Sequence, residues 1–195
     1  MRGLLIAFEG LDQSGKQTQA ELLRDRLVAR GRAVRLLSFP DYRTPIGTEI
    51  GRALRGERSY GPDVMQILYV ANRYEWKQDI ADAMAAGAIL VCDRYVASSV
   101  ACGEAQGLDA AWLFEIQKYL PKPDVTILLD IPPGVSAARK RADRDRYERD
   151  LALLARVRDS YLRQAAAADG WVTINADLDR DVVAAGVFAA VADCL

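Results

Sequence analysis

The sequence predicts an α/β fold: a doubly wound, five-stranded parallel sheet flanked by helices. Five short apolar runs alternate with longer segments in which apolar residues recur at helical spacing. One of the runs, residues 88–92, is apolar without a break, as expected of a strand that is buried on both faces. A glycine-rich turn separates the first run from the first helical segment, and this order of strand, loop and helix suits phosphate binding.

The predicted strands cover residues 4–8, 33–39, 88–92, 125–131 and 171–174. After the first strand, Ala20, Leu23 and Leu27 recur at helical spacing, and Gly31 is placed to end that helix. Because a strand, a helix and a second strand follow one another, we expect the two strands to pair in parallel.

The remaining helices are predicted from apolar stripes and from the glycines and prolines that bound them. They cover residues 46–54, 63–86, 98–120, 133–169 and 181–195, with the third interrupted at Gly103 and Gly107. Residues 39–47 contain two prolines and a glycine after the carboxyl end of a strand, where sheets of this kind bind ligands. Residues 56–62 are predicted to form a connecting loop.

Length and composition predict one compact domain over residues 1–195. The chain has 195 residues, of which 51% are apolar, and it can therefore bury a core without disulfides or metal ions. Its 26 basic and 27 acidic side chains give a formal net charge of −1, so we expect neither nucleic acid nor a membrane surface as a partner. The apolar run before the glycine turn is too short for a signal peptide or a membrane span.

The chain contains three cysteines and no histidine. Cys92, Cys102 and Cys194 are too scattered for a disulfide framework or a thiolate metal site, and a reducing cytoplasm is the expected compartment. The lack of histidine excludes Ser-His and Cys-His nucleophilic chemistry. Carboxylates, arginines and a bound metal ion remain as catalytic groups, so we expect catalysis by positioning and electrostatics.

The glycine turn has the spacing of a phosphate-binding P-loop. Backbone N–H groups of such a loop bind phosphate oxygens, and the lysine, here Lys16, reaches the β- and γ-phosphates. The alternative interpretation is a glycine-rich turn with no ligand. Gln17 departs from the motif, which has Ser or Thr at that position. The residues predicted to bind the donor nucleotide are Gly10, Leu11, Asp12, Gln13, Ser14, Gly15, Lys16, Gln17 and Thr18.

Phosphoryl transfer needs groups that neutralise the charge of the transferred phosphate. Asp93 follows the third strand, where its carboxylate could accept hydrogen bonds from water molecules bound to Mg²⁺. Arg94, together with an arginine from residues 139–150, would contact the transferred group. Ten of those twelve residues are charged. They could form a solvated helix with i,i+4 ion pairs, but beside a P-loop we favour a helical, arginine-rich lid over about 139–150.

Two further groups of residues each allow two interpretations. Glu9 and Asp12 could contact the acceptor's sugar or its phosphate shell, or they could stabilise the loop by bonding to backbone amides. Tyr69 and Arg73 could be a core aromatic and a surface charge, or they could stack on a base and donate hydrogen bonds to its edge.

Taken together, these motifs resemble the thymidylate (dTMP) kinase family of P-loop nucleoside monophosphate kinases. The resemblance spans nearly the whole chain and is more specific than any single motif. The matching segments are residues 8–12 with 14–16, Phe39-Pro40, residues 71–73, residues 93–95 with Ser98, residues 120–124 and residues 146–148.

The resemblance implies transfer of the γ-phosphate of ATP to dTMP with Mg²⁺, in a homodimer. It implies that Tyr69 stacks on thymine, that Arg73 reads the base, and that Asp12 lies beside the 3′-hydroxyl. Arg94 would bridge the donor and acceptor phosphates, and Arg52 or Arg43 would hold the dTMP phosphate. The implied acceptor site comprises Phe39, Pro40, Tyr42, Arg52, Tyr69, Arg73, Arg94, Ser98, Ser99, Cys102 and Tyr147.

The sequence departs from the family pattern at three places. Gln17 replaces the hydroxyl directed at the metal ion, and Ser99 and Cys102 stand where relatives carry other residues, often an aromatic at the second position. Gln13 occupies the P-loop position that can carry a catalytic arginine, so Arg141 or Arg144 of the lid should supply it. Two alternatives to a dTMP kinase remain: another P-loop nucleoside or nucleotide kinase, and a regulatory module that binds nucleotides with little turnover.

Overall fold

The computed structural model describes residues 2–139 and 150–195, and within them the strands form one parallel sheet. The strand order is β2-β3-β1-β4-β5, and every neighbouring pair is parallel. The fold class predicted from the sequence is therefore confirmed. The strands are β1 (Leu4–Glu9), β2 (Val34–Ser38), β3 (Ile89–Asp93), β4 (Val125–Asp130) and β5 (Trp171–Asn175).

Helices connect the strands and cover the sheet. Those in the described residues are α1 (Lys16–Val28), α2 (Pro45–Leu54), α3 (Pro62–Tyr74), α4 (Lys77–Ala85), α5 (Val96–Ala105), α6 (Ala110–Glu115), α7 (Pro133–Arg139), α8 (Leu151–Ala167) and α9 (Arg180–Ala192). None of these helices has both the length and the apolar character needed to cross a bilayer.

Two helix predictions need correction. The single helix predicted over residues 63–86 is two helices, α3 and α4, with a turn in which Trp76 N–H donates to the Arg73 carbonyl at 3.1 Å. The buried side chains of α4 pack against the sheet, whereas α3 packs on α2 and α5, and one straight helix could not serve both directions. Gly103 lies inside α5, and only Gly107, with φ of 89°, lies beyond its end.

The core lies on both faces of the sheet, because successive side chains of a strand point to opposite sides. Ile6 and Phe8 of β1 pack into a cluster with residues of α1, α5, α8 and α9. Leu5 and Ala7 pack on the other face against residues of α4. All four side chains are at most 1% exposed, so β1 is the buried centre of the sheet.

The chain order reverses at β1, which lies between β3 and β4. In open α/β sheets the crevice beyond the carboxyl ends of the strands at such a point is the usual ligand site. The P-loop leaves β1 there, and Asp93 and Arg94 leave β3 beside it. The topology therefore brings the sequence-predicted donor and metal residues to one edge of the sheet.

Candidate active site

The P-loop owes its shape to two glycines. Gly10 has φ of 140°, and a Cβ atom on it would lie 2.4 Å from the carbonyl oxygen of Leu129. Gly15 caps the N-terminus of α1 with φ of 91°, a left-handed conformation that side chains rarely adopt. The amides that follow it therefore point into the loop at the positive end of the helix dipole, where phosphate binds.

Lys16 begins α1 and is 6% exposed. Its Nζ donates to the carbonyl oxygen of Leu11 at 2.7 Å. Burial, and then the positive charge of Arg94, lower the pKa of Lys16 to about 8. The ammonium thus lies in an environment that lacks a full counter-charge, and a bound polyphosphate would supply one.

A cavity of about 370 Å³ opens over the P-loop. Phe39, Pro40 and Tyr42 are among the residues that line it. Ser14 does not line it, and its buried Oγ has no hydrogen-bond partner in the described chain. The sequence-predicted donor residues that do line it are Asp12, Gln13, Gly15, Lys16, Gln17 and Thr18, together with Asp93 and Arg94.

Asp93 is the residue of this cavity best suited to a divalent cation. Its Oδ1 is buried without a hydrogen-bond partner among the described residues. Gln17 is exposed, and its Nε2 donates to Oε1 of Glu21 at 3.0 Å, away from the loop. Within residues 2–139 and 150–195, no group of three or more His, Cys, Asp or Glu side chains is arranged to hold a metal ion. A hard cation would therefore depend on Asp93, water and substrate oxygens, a combination that suits Mg²⁺.

Arg94 has a backbone conformation that is unusual for a residue with a side chain, with φ of 64°. It directs the guanidinium back over the P-loop, where it pairs with Asp12 and donates to the Gly10 carbonyl at 3.3 Å. Nη1 also lies 3.2 Å from Oγ of Ser98 and 3.3 Å from the hydroxyl of Tyr161. The arginine is thus held between the donor cavity and a second cavity.

Glu9 is fully buried and acts as a structural acceptor. It accepts hydrogen bonds from the backbone amides of Tyr95 and Ser98, at 2.9 and 3.3 Å, at the start of α5. It also accepts from the Ser98 hydroxyl at 2.6 Å and from the Tyr161 hydroxyl at 3.1 Å. For Glu9, these contacts favour the interpretation in which the side chain stabilises the loop by bonding to backbone amides. Asp12 differs, because it pairs with Arg94 and lines both cavities.

The second cavity has a volume of about 330 Å³ and shares its inner wall with the first. It is lined by most of the residues predicted for the acceptor and by two that were predicted for the donor, Gly10 and Leu11. The acceptor residues are Asp12, Phe39, Pro40, Tyr42, Tyr69, Arg73, Arg94, Ser98, Ser99 and Cys102. Sequence reasoning did not identify the others, which are Leu54, Met65, Gln66, Gln106, Leu153, Leu154 and Val157. The i,i+3 and i,i+4 spacing of the last three was a signal for a buried face of α8, but not for a ligand.

Arg73 lines this cavity and is 3% exposed. Nη1 donates to Oγ of Ser99 at 2.7 Å, and Nε has no partner among the described residues. Burial lowers the pKa of Arg73. Tyr69 precedes it by four residues and therefore lies on the same face of α3. The interpretation of Arg73 as a surface charge is wrong, because the side chain is buried in the cavity.

Asn72, next to Arg73, is fully buried and fixes the loop after β2. Its Oδ1 accepts from the Asp41 amide at 2.8 Å, and its Nδ2 donates to the Asp41 carbonyl at 3.2 Å and to Oγ1 of Thr44 at 2.8 Å. A cis peptide joins Phe39 to Pro40 directly before this clamp. Helix α3 thus carries both a cavity residue and the anchor of the facing loop.

The remaining predicted residues lie elsewhere. Arg52 is exposed on α2, where Nη1 pairs with Oε2 of Glu49 at 3.4 Å, and Arg43 is paired with Asp41. Neither arginine lines the donor cavity or the second cavity as the described residues form them, so the structure does not bring the predicted phosphate-holding arginines to the site. Arg141, Arg144 and Tyr147 lie outside the described residues, and their roles stay predictions.

Arg139, the last residue of α7, was not predicted as a site residue on its own. Nη1 donates to the Gln13 carbonyl of the P-loop at 3.2 Å, and Nη2 donates to the Ala176 carbonyl and to Asp177, each at 3.1 Å. The first residue of the predicted lid is therefore bonded to the P-loop and to the loop after β5.

Comparisons with known proteins identify the family of the chain. The family model described as "Thymidylate kinase" matches residues 8–186. The chain is 38% identical to thymidylate kinase of Schizosaccharomyces pombe over 148 residues, covering 76% of this chain and 70% of the relative. It is 35% identical to thymidylate kinase of Caenorhabditis elegans over 202 residues, covering 96% and 89%.

A solved structure of thymidylate kinase from Candida albicans has the same fold. Its TM-score is 0.84 at 29% sequence identity, and the match covers 98% of this chain and 92% of that one. Together with the family match over most of the chain, these relatives identify the family. The chain belongs to the thymidylate kinase family.

Proposed function

We propose that the chain phosphorylates dTMP to dTDP with ATP, with the ATP phosphates on the P-loop and dTMP in the cavity between α3 and α5. Membership of the family supplies the reaction. The observation that carries the assignment of the two cavities is their shared wall, in which Asp12 and Arg94 line both. Two substrates on either side of that wall would meet phosphate to phosphate.

Catalysis in this arrangement depends on positioning and on neutralisation of charge. The P-loop amides and Lys16 would hold the β- and γ-phosphates. Arg94, already held by Gly10 and Ser98, would contact oxygens of the transferred group and of the acceptor phosphate. Because those bonds fix the guanidinium before substrates arrive, little reorganisation is needed during transfer.

Mg²⁺ is proposed as the metal, bound to ATP and held through water by Asp93. The unpartnered buried Oδ1 of Asp93 supports this assignment. When bound, the ion supplies neutralisation of the β- and γ-phosphate charge. Glutamine has no hydroxyl group, and the Gln17 carboxamide donates to Glu21. This chain would therefore offer the metal ion no side-chain hydroxyl from that position of the P-loop.

On the acceptor side, Tyr69 would stack on thymine and Arg73 would donate to the edge of the base. The aromatic ring and the guanidinium share one helix face in a cavity with Phe39 and Pro40, which supports this proposal. Asp12 would lie beside the sugar. The lid, about residues 139–150, would supply a further arginine from Arg141 or Arg144, and Tyr147 would complete the site.

The chain is further proposed to be one kinase domain over residues 1–195 that acts in the cytoplasm as a homodimer. One sheet that contains strands from both ends of the sequence supports the single domain. Free thiols at Cys92, Cys102 and Cys194 support a reducing compartment. Exposed apolar side chains on α3 and α6, Ile67 at 49% and Phe114 at 53%, support a partner on that side.

A coupled assay of ADP release tests the function, with ATP, Mg²⁺ and a panel of nucleosides and nucleoside monophosphates. Release that requires dTMP is the expected result, and tight binding without turnover would contradict it.

Arg73→Ala should weaken dTMP binding about a hundredfold, because a buried charged hydrogen bond is lost, while the affinity for ATP stays unchanged. An equal loss for both nucleotides would contradict the role of Arg73.

A further inference from the structure

One buried side chain of the acceptor cavity makes none of the contacts described above. Gln66 lies on α3, is 1% exposed and lines the cavity. Its Oε1 is buried and has no hydrogen-bond partner in the described part of the chain. Buried polar groups are nearly always bonded in native proteins, so an unpartnered one at a cavity wall needs an explanation. A ligand that supplies the missing partner is the simplest one.

The stem of Gln66 is held in place by packing against α5. A Cβ atom on Gly103 would lie 3.2 Å from Cγ of Gln66 and 2.7 Å from Cδ1 of Leu113. A glycine at position 103 therefore leaves the space that the glutamine stem occupies between the helices. This packing keeps the carboxamide at the cavity wall, so its orientation can contribute to recognition.

Gln66, Tyr69 and Arg73 are spaced at i, i+3 and i+7, which places them on one face of α3. Each neighbour of Tyr69 on that face lies about one helical turn away, with Cβ atoms about 5–6 Å apart. A base stacked on the Tyr69 ring would therefore have Arg73 on one side and Gln66 on the other. The two side chains would contact different parts of the base.

Two other polar side chains that line this cavity, Ser99 and Gln106, each make a hydrogen bond within the protein. The Ser99 hydroxyl accepts from Arg73 at 2.7 Å, and Nε2 of Gln106 donates to the Cys102 carbonyl at 2.9 Å. Arg73 has only donors, so it can bind a carbonyl oxygen but not a ring N–H. The carboxamide of Gln66 carries one acceptor and two donors, and it can turn about its terminal torsion.

We propose that Gln66 is a specificity-determining residue that binds the imide edge of the acceptor base, a role that rests on the proposed dTMP kinase function. A thymine ring has one N–H between two carbonyl groups. Arg73 binds one carbonyl, and Gln66 accepts the hydrogen bond of the ring N–H and donates to the other carbonyl. This pairing explains both the unpartnered oxygen and the place of the glutamine one turn before Tyr69.

The variant Gln66→Met removes the carboxamide and nearly keeps the shape of the side chain. We expect the Kd for dTMP, measured by calorimetry, to rise about tenfold, the loss expected for one or two hydrogen bonds. The Kd for ATP should stay unchanged. The melting temperature of the ligand-free protein should not fall, because the oxygen that is removed has no partner there.

The analogue N3-methyl-dTMP, which lacks the ring N–H, separates recognition from a change of cavity shape. For each protein we compare the Kd for N3-methyl-dTMP with the Kd for dTMP. This ratio should be at least about fivefold smaller in Gln66→Met than in the wild type. An unchanged ratio, or an unchanged Kd for dTMP, would overturn the proposal. If methionine fails to pack, Gln66→Ala gives the same comparison of ratios.

Gln117→Met is the matched control. Gln117 is 5% exposed and its Oε1 also lacks a partner among the described residues, but it does not line the cavity. Its substitution should leave both Kd values unchanged. If the proposed function fails, the wild-type protein does not phosphorylate dTMP. If only this inference fails, the wild type still phosphorylates dTMP, and Gln66→Met discriminates between dTMP and N3-methyl-dTMP as strongly as the wild type does.

Discussion

At the scale of single residues, the side chains of the P-loop and of the Asp-Arg pair after β3 were predictable because local sequence determines their setting. Lys16 follows the glycine that caps α1, Asp93 ends a buried strand, and Arg94 is the next residue. Tyr161 and Gln66 were not predictable in this way. Tyr161 of α8 donates to Glu9 of β1 across 152 residues of sequence, and only the folded chain brings them together.

Lys16 leads to a prediction about pH. Its pKa of about 8 in the free protein should be raised when phosphate binds, because the phosphate charge favours the ammonium form. The contribution of Lys16 to ATP affinity is then complete below about pH 8. It is lost as the pH rises from there to the higher pKa of the bound state.

Calorimetry in buffers of different ionisation enthalpy measures the protons taken up on binding. Uptake attributable to Lys16 should be near zero at about pH 6.5 and should approach one proton per nucleotide near pH 9. Lys16→Met supplies the reference, since it keeps the ionisation of ATP itself. Equal uptake by the variant and the wild type would contradict the prediction.

At the scale of elements, strands and most helices followed from apolar periodicity, whereas helix ends set by long-range contacts did not. The break between α3 and α4 has no glycine or proline to mark it. It arises because the side chains before and after the break pack in different directions. Asn72 bonds to the loop after β2 and Arg73 lines the acceptor cavity, whereas Ile80 and Met84 pack against the sheet. No pattern within residues 63–86 carries that information.

The clamp formed by Asn72 leads to the second prediction. Asn72→Ala leaves the buried amide of Asp41 without its partner, and the free energy of unfolding should fall by about 1–3 kcal/mol. Pro40 lines both cavities, so KM should rise for dTMP and for ATP together. This joint effect distinguishes the clamp from Gln66, whose substitution should affect dTMP alone.

Steady-state kinetics with each substrate varied in turn, together with urea unfolding, test this prediction. Asn175→Ala serves as the control, because the Asn175 side chain accepts from the exposed Asp177 amide at 2.9 Å and lines neither cavity. We expect that control to change neither KM. A rise in KM for one substrate alone would contradict the assigned role of the Asn72 clamp.

At the scale of the whole molecule, we predict that the exposed apolar side chains of α3 and α6 mediate self-association. Ile67→Lys should shift the protein from dimer to monomer in sedimentation velocity runs, because a charge in an apolar interface is strongly unfavourable. The fold should tolerate the change, since Ile67 is 49% exposed.

Val28→Lys is the control for self-association. Val28 is 52% exposed but lies just at the end of α1, away from α3 and α6. Its substitution should leave the sedimentation coefficient unchanged. A dimer that persists in Ile67→Lys, or one that is lost equally in both variants, would exclude this face as the interface.

The wall shared by the two cavities has a consequence for engineering the enzyme. Asp12, Phe39, Pro40, Tyr42 and Arg94 line both cavities, so a change at any of them alters the donor and the acceptor side at once. Gln66, Cys102 and Gln106 line only the acceptor cavity. A mutant library restricted to these three positions would explore other nucleoside monophosphates as acceptors, while the surroundings of the donor stay constant.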